Sequence, residues 1–171
     1  INTAGIGLVS AGVTISGDCA QPGHKVLVSG TIGDHGVAIM SLRKGLQFET
    51  ALKSDCASLN ALVARMVDRA RGALAVLRDP TRGGLAATLN EIADQSGVGI
   101  RLHEHSLPIR TEVRGACELL GLDPLNVANE GKLIAIVEAQ HADALLDTMR
   151  QHVNGRDAAI VGEVIDDPMH L

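Results

Sequence analysis

Residues 73–85 read Ala73-Leu74-Ala75-Val76-Leu77-Arg78-Asp79-Pro80-Thr81-Arg82-Gly83-Gly84-Leu85. The apolar run at the start predicts a strand, and the apolar spacing over residues 85–93 predicts a helix directly after it. Between them a carboxylate, a hydroxyl, a guanidinium and two glycines lie where the helix is expected to begin. Free N–H groups at a helix N-terminus, approached closely over glycines, suit a phosphate. The residues alone leave a second interpretation equally open, in which Asp79 or Thr81 caps the helix and the glycines form a tight turn.

Strands and helices alternate on both sides of this stretch. Further strands are predicted at residues 25–29, 98–102, 133–137 and 158–164, and further helices at residues 34–44, 59–70, 109–120 and 141–152. Ser54 or Asp55 is expected to cap the helix over residues 59–70, and Gly45, Gly97 and Gly121 are expected to end helices. A short strand is also expected within residues 1–23. The pattern predicts a sheet covered by helices, of either the α/β or the α+β class.

Composition excludes several classes of protein. The chain has 171 residues, enough for one domain with a core, and 46% of them are hydrophobic although Phe48 is the only aromatic residue. The formal net charge is −5, and Lys and Arg form no dense cluster, which argues against a nucleic-acid partner. No apolar run approaches the roughly 20 residues of a membrane span, and the start of the chain lacks a signal-peptide pattern.

The cysteines and the chain ends support two further expectations. Cys19, Cys56 and Cys117 are an odd number without CxxC spacing, so neither a disulfide framework nor a zinc site is predicted, and a reducing cytoplasm is the expected location. The sequence begins at Ile1 and stops shortly after the last predicted strand. We therefore expect it to be a piece of a longer protein.

A second candidate site directly follows the first predicted strand. It reads Ser29-Gly30-Thr31-Ile32-Gly33-Asp34-His35-Gly36 and precedes a predicted helix. Its glycine spacing matches neither the dinucleotide-binding nor the P-loop pattern, so a structural turn is favoured over a phosphate-binding loop. His35 has a side chain suited to acid or base chemistry near neutral pH, although a histidine in a loop is more often only solvated.

A third candidate site precedes the strand over residues 133–137. It reads Asn126-Val127-Ala128-Asn129-Glu130-Gly131-Lys132. A carboxylate at the mouth of a buried strand is a plausible general base. The alternative, an exposed turn in which Glu130 pairs with Lys132, would contribute little to stability and is favoured by the residues alone.

Two other polar pairs carry weaker signals. Asn90 and Glu91 follow the opening stretch and are expected to lie on a solvated helix face. His103 and His105 would share one face of a strand, but no third ligand lies nearby in the sequence, so no metal site is predicted.

Taken together and in order, these blocks resemble the HypE family of hydrogenase maturation proteins, which belongs to the AIR synthetase and selenophosphate synthetase superfamily. The matching blocks are residues 2–7, 29–36, 53–56, 78–85, 127–132, 155–160 and 162–164. In relatives such as AIR synthetase a glycine follows the threonine of the opening motif, whereas Arg82 stands at that position here. This difference favours the hydrogenase branch over a kinase or synthetase acting on selenide or a purine intermediate.

The resemblance implies a fold and a division of labour. The family's C-terminal domain is α+β, with a mixed β-sheet packed against helices, and residues 24–171 resemble it. Residues 1–23 resemble the interdomain linker and first strand. The N-terminal domain, which supplies most contacts to ATP and Mg²⁺ and the dimer interface, would be absent. So would the C-terminal tail, whose cysteine carries a thiocarboxamide that ATP-driven dehydration converts to thiocyanate.

The resemblance also implies roles for particular residues. Glu130 is the expected catalytic base. The residues expected to face phosphates or the thiocarboxamide are Asp79, Thr81, Arg82, Gly83 and Gly84. Further possible site residues are Asn129, Lys132 and His35. The implied partners are the carbamoyltransferase HypF, the HypC–HypD complex and a second copy of the protein, and an alternative role is a docking surface for maturation proteins.

Overall fold

The computed structural model describes residues 4, 6–9, 11–44 and 52–167. Gly45 and three residues of the 2–7 block lie outside the described residues. The strands are β1 (Lys25–Val28), β2 (Leu74–Arg78), β3 (Gly99–Leu102), β4 (Ile134–Val137) and β5 (Ala159–Ile165). The α-helices are α1 (Asp34–Lys44), α2 (Asn60–Arg69), α3 (Gly84–Ser96), α4 (Thr111–Leu120) and α5 (Ala139–Arg150). Single 3₁₀ turns cover Glu104–Ser106, Pro124–Asn126 and Val153–Gly155.

The strands form one sheet in the order β2-β4-β1-β5-β3. Every neighbouring pair is antiparallel, with Lys25 opposite both Val137 of β4 and Glu163 of β5. The predicted α+β class is confirmed, but the sheet is antiparallel and not mixed. An apolar run shows that a strand is buried and does not show which neighbour it pairs with, so its direction could not be predicted from the pattern.

Helices cover both faces of the sheet. Because side chains alternate along a strand, Val26 and Val28 pack in the cluster that contains α3, whereas Leu27 packs with α2 and α5. A third, smaller cluster joins α1 to α4 through Val37 and Val113. This third cluster holds the loop over residues 29–36 against residues 126–128.

Two predicted helix caps are wrong, and two predicted helix ends are confirmed. Neither Asp79 nor Thr81 caps α3: the helix follows Gly83, which has a φ of +70°, and no side chain caps it. Ser54 and Asp55 do not cap α2 either, because that helix begins at Asn60, well beyond their reach. The predicted ends of α3 and α4 at Gly97 and Gly121 are confirmed, since both glycines adopt the left-handed conformation.

Two predicted strand features are absent. The described residues before Lys25 form no strand, and Ile6 and Leu8 expose their side chains fully to solvent instead of pairing with the sheet. β3 ends at Leu102, and the chain then turns into the 3₁₀ turn Glu104–Ser106. His103 and His105 therefore do not share a strand face.

Candidate functional site

Asn129 joins the three loops that carry the sequence motifs. Its side chain is 1% exposed. The amide oxygen accepts the N–H of Gly33 at 2.8 Å, and the amide nitrogen donates to Pro80 O at 3.1 Å and to Val127 O at 3.0 Å. One buried side chain thus fixes residues 29–36, 79–84 and 126–132 relative to one another. Sequence reasoning had singled out all three loops but had not identified what connects them.

Glycines let these loops approach one another closely. A Cβ at Gly84 would lie 2.4 Å from Leu125 O and 2.7 Å from Val127 O. A Cβ at Gly36 would lie 2.4 Å from Val127 Cγ1, and the Gly36 N–H donates to Ala128 O at 3.0 Å. At these two glycines the missing side chain therefore makes room for neighbouring protein atoms, and the close packing does not by itself indicate a bound ligand.

Glu130 stands at the surface on a firmly held backbone. Its side chain is 42% exposed, and its N–H donates to Asp55 Oδ1 at 3.2 Å. Lys132 Nζ lies 3.1 Å from Asp55 Oδ2, and these two side chains are 13% and 4% exposed. The alternative Glu130–Lys132 pair is therefore wrong, since Lys132 pairs with Asp55 instead.

Asp55 is a site residue that sequence reasoning placed at a helix cap. The segment around it crosses directly over Gly131, where a Cβ would lie 1.8 Å from Asp55 O and 2.6 Å from Ala57 N. The one signal of a further role in the sequence is that residues 53–56 match a block of the family. That block holds the backbone on which Glu130 is carried.

His35 lies between this segment and Glu130. Its Nδ1 is 2.9 Å from Ser54 Oγ, and its Nε2 is 3.9 Å from Glu130 Oε1. The Ser54 hydroxyl also donates to Cys56 Sγ at 3.2 Å. His35 is 19% exposed, so it is not merely a solvated loop histidine. Imidazole, hydroxyl and thiol thus form a hydrogen-bonded polar chain at the surface, and the Glu130 carboxylate lies beyond hydrogen-bond distance at its end.

A polar cavity of about 160 Å³ borders Asp55 and Lys132 and reaches the loop over residues 29–31. Arg110 and Arg156 also line it. Arg110 Nε lies 3.5 Å from Asp34 Oδ1, and Asp34 is buried and accepts the hydroxyl of Thr31. Cationic side chains around a polar cavity suit phosphate oxygens, and the neighbouring carboxylates fix the positions of those side chains.

The residues of the opening stretch line a separate cavity of about 260 Å³. Asp79, Thr81 and Arg82 border it, and the Thr81 hydroxyl donates to Asp79 Oδ2 at 2.7 Å. Glu91, expected on a solvated face, forms an ion pair with Arg78 at 2.6 Å and borders the same cavity. The structure therefore brings the loops together at Asn129, while Lys132 borders the first cavity and Asp79, Thr81 and Arg82 border the second.

The three cysteines lie in different surroundings. Cys117 is buried in the cluster between α1 and α4, and burial raises the pKa of its thiol, with the charge of Asp123 adding to the effect. A thiol of this kind is chemically inert. Cys19 is partly buried, whereas Cys56 is exposed beside Ser54.

The described residues contain neither a metal-binding cluster nor a helix that could cross a membrane. No group of three or more His, Cys, Asp and Glu side chains is arranged to hold a metal ion within the part of the chain that the structure describes. Across the same residues, none of the helices has both the length and the apolar character that crossing a membrane requires.

The antiparallel sheet, its two helical layers and the loop cluster define the class of protein. A family model for the C-terminal domain of AIR synthase related proteins matches residues 21–170. The chain belongs to this family.

Within the family, the predicted resemblance to HypE is confirmed. The chain is 58% identical to the carbamoyl dehydratase HypE of Bradyrhizobium diazoefficiens over 171 residues, which is 100% of this chain and 49% of that protein. A solved HypE–HypF complex contains a chain with a TM-score of 0.90 and 49% identity, matched over 92% of this chain and 51% of its own length. HypE in complex with ATP gives a TM-score of 0.85 at 50% identity, over 89% and 45% of the two chains. The chain thus spans about half the length of the relatives it matches.

Proposed function

We propose that this chain forms one side of the active site of an ATP-dependent carbamoyl dehydratase. The complete protein would convert the thiocarboxamide of a C-terminal cysteine to a thiocyanate, the source of cyanide ligands in nickel–iron hydrogenase maturation. Residues 24–171 would be its C-terminal domain, and residues 1–23 would connect that domain to a preceding one. Similarity over the whole chain to proteins named carbamoyl dehydratase HypE supports this proposal.

The chemistry defines what the site has to supply. Turning an amide into a nitrile removes the oxygen, and hydroxide is a very poor leaving group near neutral pH. Transfer of the γ-phosphoryl group of ATP to the carbamoyl oxygen makes phosphate the leaving group. Cationic and N–H groups have to stabilise the phosphate oxygens, and a base has to remove protons from the nitrogen.

Glu130 is the proposed base. The observation that carries the proposal is its position, with an exposed carboxylate on a backbone that is bonded to Asp55. A carboxylate that can reach a substrate is held on a backbone fixed by Asp55, with an imidazole on one side and the buried Lys132–Asp55 pair beneath it. Such an arrangement positions a base without occupying it in a close ion pair of its own. The resemblance assigns Glu130 the same role.

Phosphate contacts are divided between the two cavities in this proposal. Lys132 would face the substrate side, while Asp79, Thr81 and Arg82, with the N–H groups of Gly83 and Gly84, would face phosphate or the thiocarboxamide. The solved complex of HypE with ATP supports ATP as the phosphoryl donor. The family resemblance assigns Mg²⁺ and most contacts to ATP to the preceding domain, and no step here depends on the metal.

The proposed partners follow from the family. A solved HypE–HypF complex supports a HypF-type carbamoyltransferase as the protein that loads the cysteine. A HypC–HypD complex would receive the cyanide, and the complete protein would act as a homodimer in the cytoplasm. The three free cysteines are compatible with a reducing compartment.

The test uses the complete protein that carries this chain, with its terminal cysteine carbamoylated by the transferase. Adding ATP should convert the thiocarboxamide to thiocyanate, seen by intact mass spectrometry as the loss of one water, whereas a non-hydrolysable ATP analogue should not. An unchanged mass with ATP contradicts the proposed function. Calorimetry on the isolated chain should show weak or no ATP binding, and tight binding would contradict the proposed division between the domains.

A docking role is the second candidate. The HypE–HypF complex favours it, because a relative at 49% identity over 92% of this chain is found bound to a maturation protein. Titrating the isolated chain into a labelled HypF-type transferase tests it. Binding that matches the complete protein supports docking through this half, and no binding places the docking surface elsewhere.

A further inference from the structure

We propose that His35 relays protons away from Glu130 and that Ser54 sets the tautomer in which it does so. This inference rests on the proposed function and deepens it by assigning a second group to the deprotonation. His35 would be a positioning and proton-carrying residue that acts through Glu130, not a group that contacts the substrate. It is carried by the polar chain from Glu130 through His35 and Ser54 to Cys56.

The reaction requires the base to act twice. In the first step one N–H bond breaks as the carbamoyl oxygen takes the γ-phosphoryl group, ADP leaves, and the proton goes to the carboxylate. In the second step the other N–H bond breaks, the C≡N bond forms and the C–O bond to phosphate breaks. Glu130 takes up this second proton as well and passes it to the departing phosphate, which leaves as hydrogen phosphate, so one proton is released overall. A single carboxylate holds one proton, so Glu130 has to be discharged between the steps.

His35 is placed to discharge it. Its Nε2 faces Glu130 Oε1 at 3.9 Å, which is longer than a hydrogen bond but within the range that tightens when a substrate complex forms. An imidazole is the side chain whose ordinary charge change falls between about pH 5 and 8, so it accepts a proton from a carboxylic acid and releases it near neutrality. Its low exposure shelters it, while Glu130 remains open to a substrate.

Ser54 determines which ring nitrogen is free. Its oxygen accepts the N–H of Cys56 at 3.2 Å, and its one proton is donated to Cys56 Sγ at 3.2 Å. With that proton used, the contact of 2.9 Å to His35 Nδ1 is satisfied by an Nδ1–H that donates to Ser54 Oγ. The neutral ring then presents the lone pair of Nε2 to Glu130. In this proposed arrangement, His35 is in the tautomer that can take up a proton from the base.

Within the part of the chain that the structure describes, the contacts and the cavity of His35 bring the following charged and titratable groups near it. Glu130 faces Nε2, and the thiol of Cys56 lies 3.9 Å from Nδ1. Arg43 of α1 and Asp123 line the cavity of about 360 Å³ that His35 also borders. The neighbouring Asp34 is engaged by Thr31 and Arg110. Glu130 is therefore the carboxylate whose oxygen lies nearest to Nε2 among these groups.

The test measures single-turnover thiocyanate formation by the complete, carbamoylated protein between about pH 5 and 9, the wild type first. His35→Gln should slow the reaction by about 10²-fold, the lower end for general acid–base catalysis, and should change the shape of the profile of rate against pH. His35→Ala should be slow and regain rate when free imidazole is added. Ser54→Ala should slow the reaction while keeping the wild-type shape of that profile, because the ring remains.

A matched control is provided by a second histidine–glutamate pair. His141 Nε2 lies 4.0 Å from Glu138 Oε2, nearly the same spacing, at the start of α5 and away from the loop cluster. His141→Gln should leave the rate and its pH profile unchanged. A wild-type rate and profile in His35→Gln, or no rescue of a folded His35→Ala by imidazole, overturns the relay while the proposed function stands. A wild type that forms no thiocyanate overturns the proposed function itself.

Discussion

At the scale of single residues, one buried amide organises the site. The Asn129 side chain bonds three backbone groups from three loops: the Gly33 N–H, Pro80 O, which also accepts the Asn129 N–H, and Val127 O. Buried polar networks of this kind specify one arrangement strongly, because leaving any member unsatisfied is expensive. The three loops that carry the candidate site residues are thus held together by Asn129, whose side chain is not accessible to a substrate.

Asn129→Ala should therefore destabilise the protein. Removing the side-chain amide leaves the Gly33 N–H and Val127 O without this partner, while Pro80 O keeps the N–H of residue 129, and we expect a loss of about 2–4 kcal/mol in the free energy of unfolding. Urea denaturation measures it. The control is Asn90→Ala, an exposed amide on α3 that donates to Ala86 O, with an expected change within about 0.5 kcal/mol. Equal effects of the two substitutions would contradict the role of Asn129.

Gly131→Ala tests the crossing of the segment around Asp55. Its Cβ would overlap Asp55 O, so the backbone has to shift, and we expect a destabilisation of about 2–3 kcal/mol. Gly115 on α4 has no atom within 4 Å of a Cβ, so Gly115→Ala should instead stabilise by about 0.5–1 kcal/mol. Chemical denaturation measures the free energy of unfolding of both variants. Changes of the same sign would contradict the close crossing at Gly131.

At this scale, candidate polar residues could be selected from the sequence, but their contacts could not. Glu130, His35 and Lys132 could be singled out because carboxylates, imidazoles and glycines next to strands are unusual in a core. Asp55 could not be, because its partners lie 75 and 77 positions further along the chain. Which side chains pair across such separations depends on the folded arrangement and leaves no local pattern.

At the scale of elements, strand existence was predictable and strand pairing was not. Runs such as residues 133–137 are apolar because β4 is buried on both faces. Their partners are distant in the chain: β1 pairs with β4 and β5, and β2 with β4. Helix ends marked by Gly97 and Gly121 were predictable because a left-handed residue is required there, whereas the uncapped starts of α2 and α3 offered no such signal.

An ion pair between β1 and β5 should make the stability of the protein depend on pH. The hydrogen bond from Lys25 to Glu163, at 2.8 Å, and the charges of Lys25 and Arg101 hold the pKa of Glu163 below its ordinary value. Its contribution to stability is therefore present above the pKa of an unfolded glutamate, about 4.3, and is lost as the pH falls through the lower folded-state pKa. Glu163→Gln should lower stability at pH 7, and the difference from wild type should shrink progressively below about pH 4.

Thermal unfolding at a series of pH values checks this prediction. Glu118→Gln, which alters an exposed carboxylate on α4, serves as the control and should follow the wild-type curve closely. A Glu163→Gln difference that stays constant down to about pH 2 would show that the ion pair across the two strands does not hold the carboxylate in its charged form.

At the scale of the whole molecule, the fold presents a partial site. A sheet with helices on both faces supports three loops at one end, and these carry Glu130, the proposed base, His35, the proposed relay, and Lys132. The chain spans about half the length of the relatives it matches. In the proposed function, deprotonation belongs to this half and nucleotide binding mainly to a preceding domain.

Glu130→Gln in the complete protein tests this central assignment most directly. The carbamoylated variant is mixed with ATP, and intact mass spectrometry follows the terminal cysteine, with Glu138→Gln on the same protein as the control. We predict that the Glu130 variant accepts the carbamoyl group normally and retains the thiocarboxamide, while the Glu138 variant forms thiocyanate at the wild-type rate. Thiocyanate formation at the wild-type rate by the Glu130 variant would contradict the assignment.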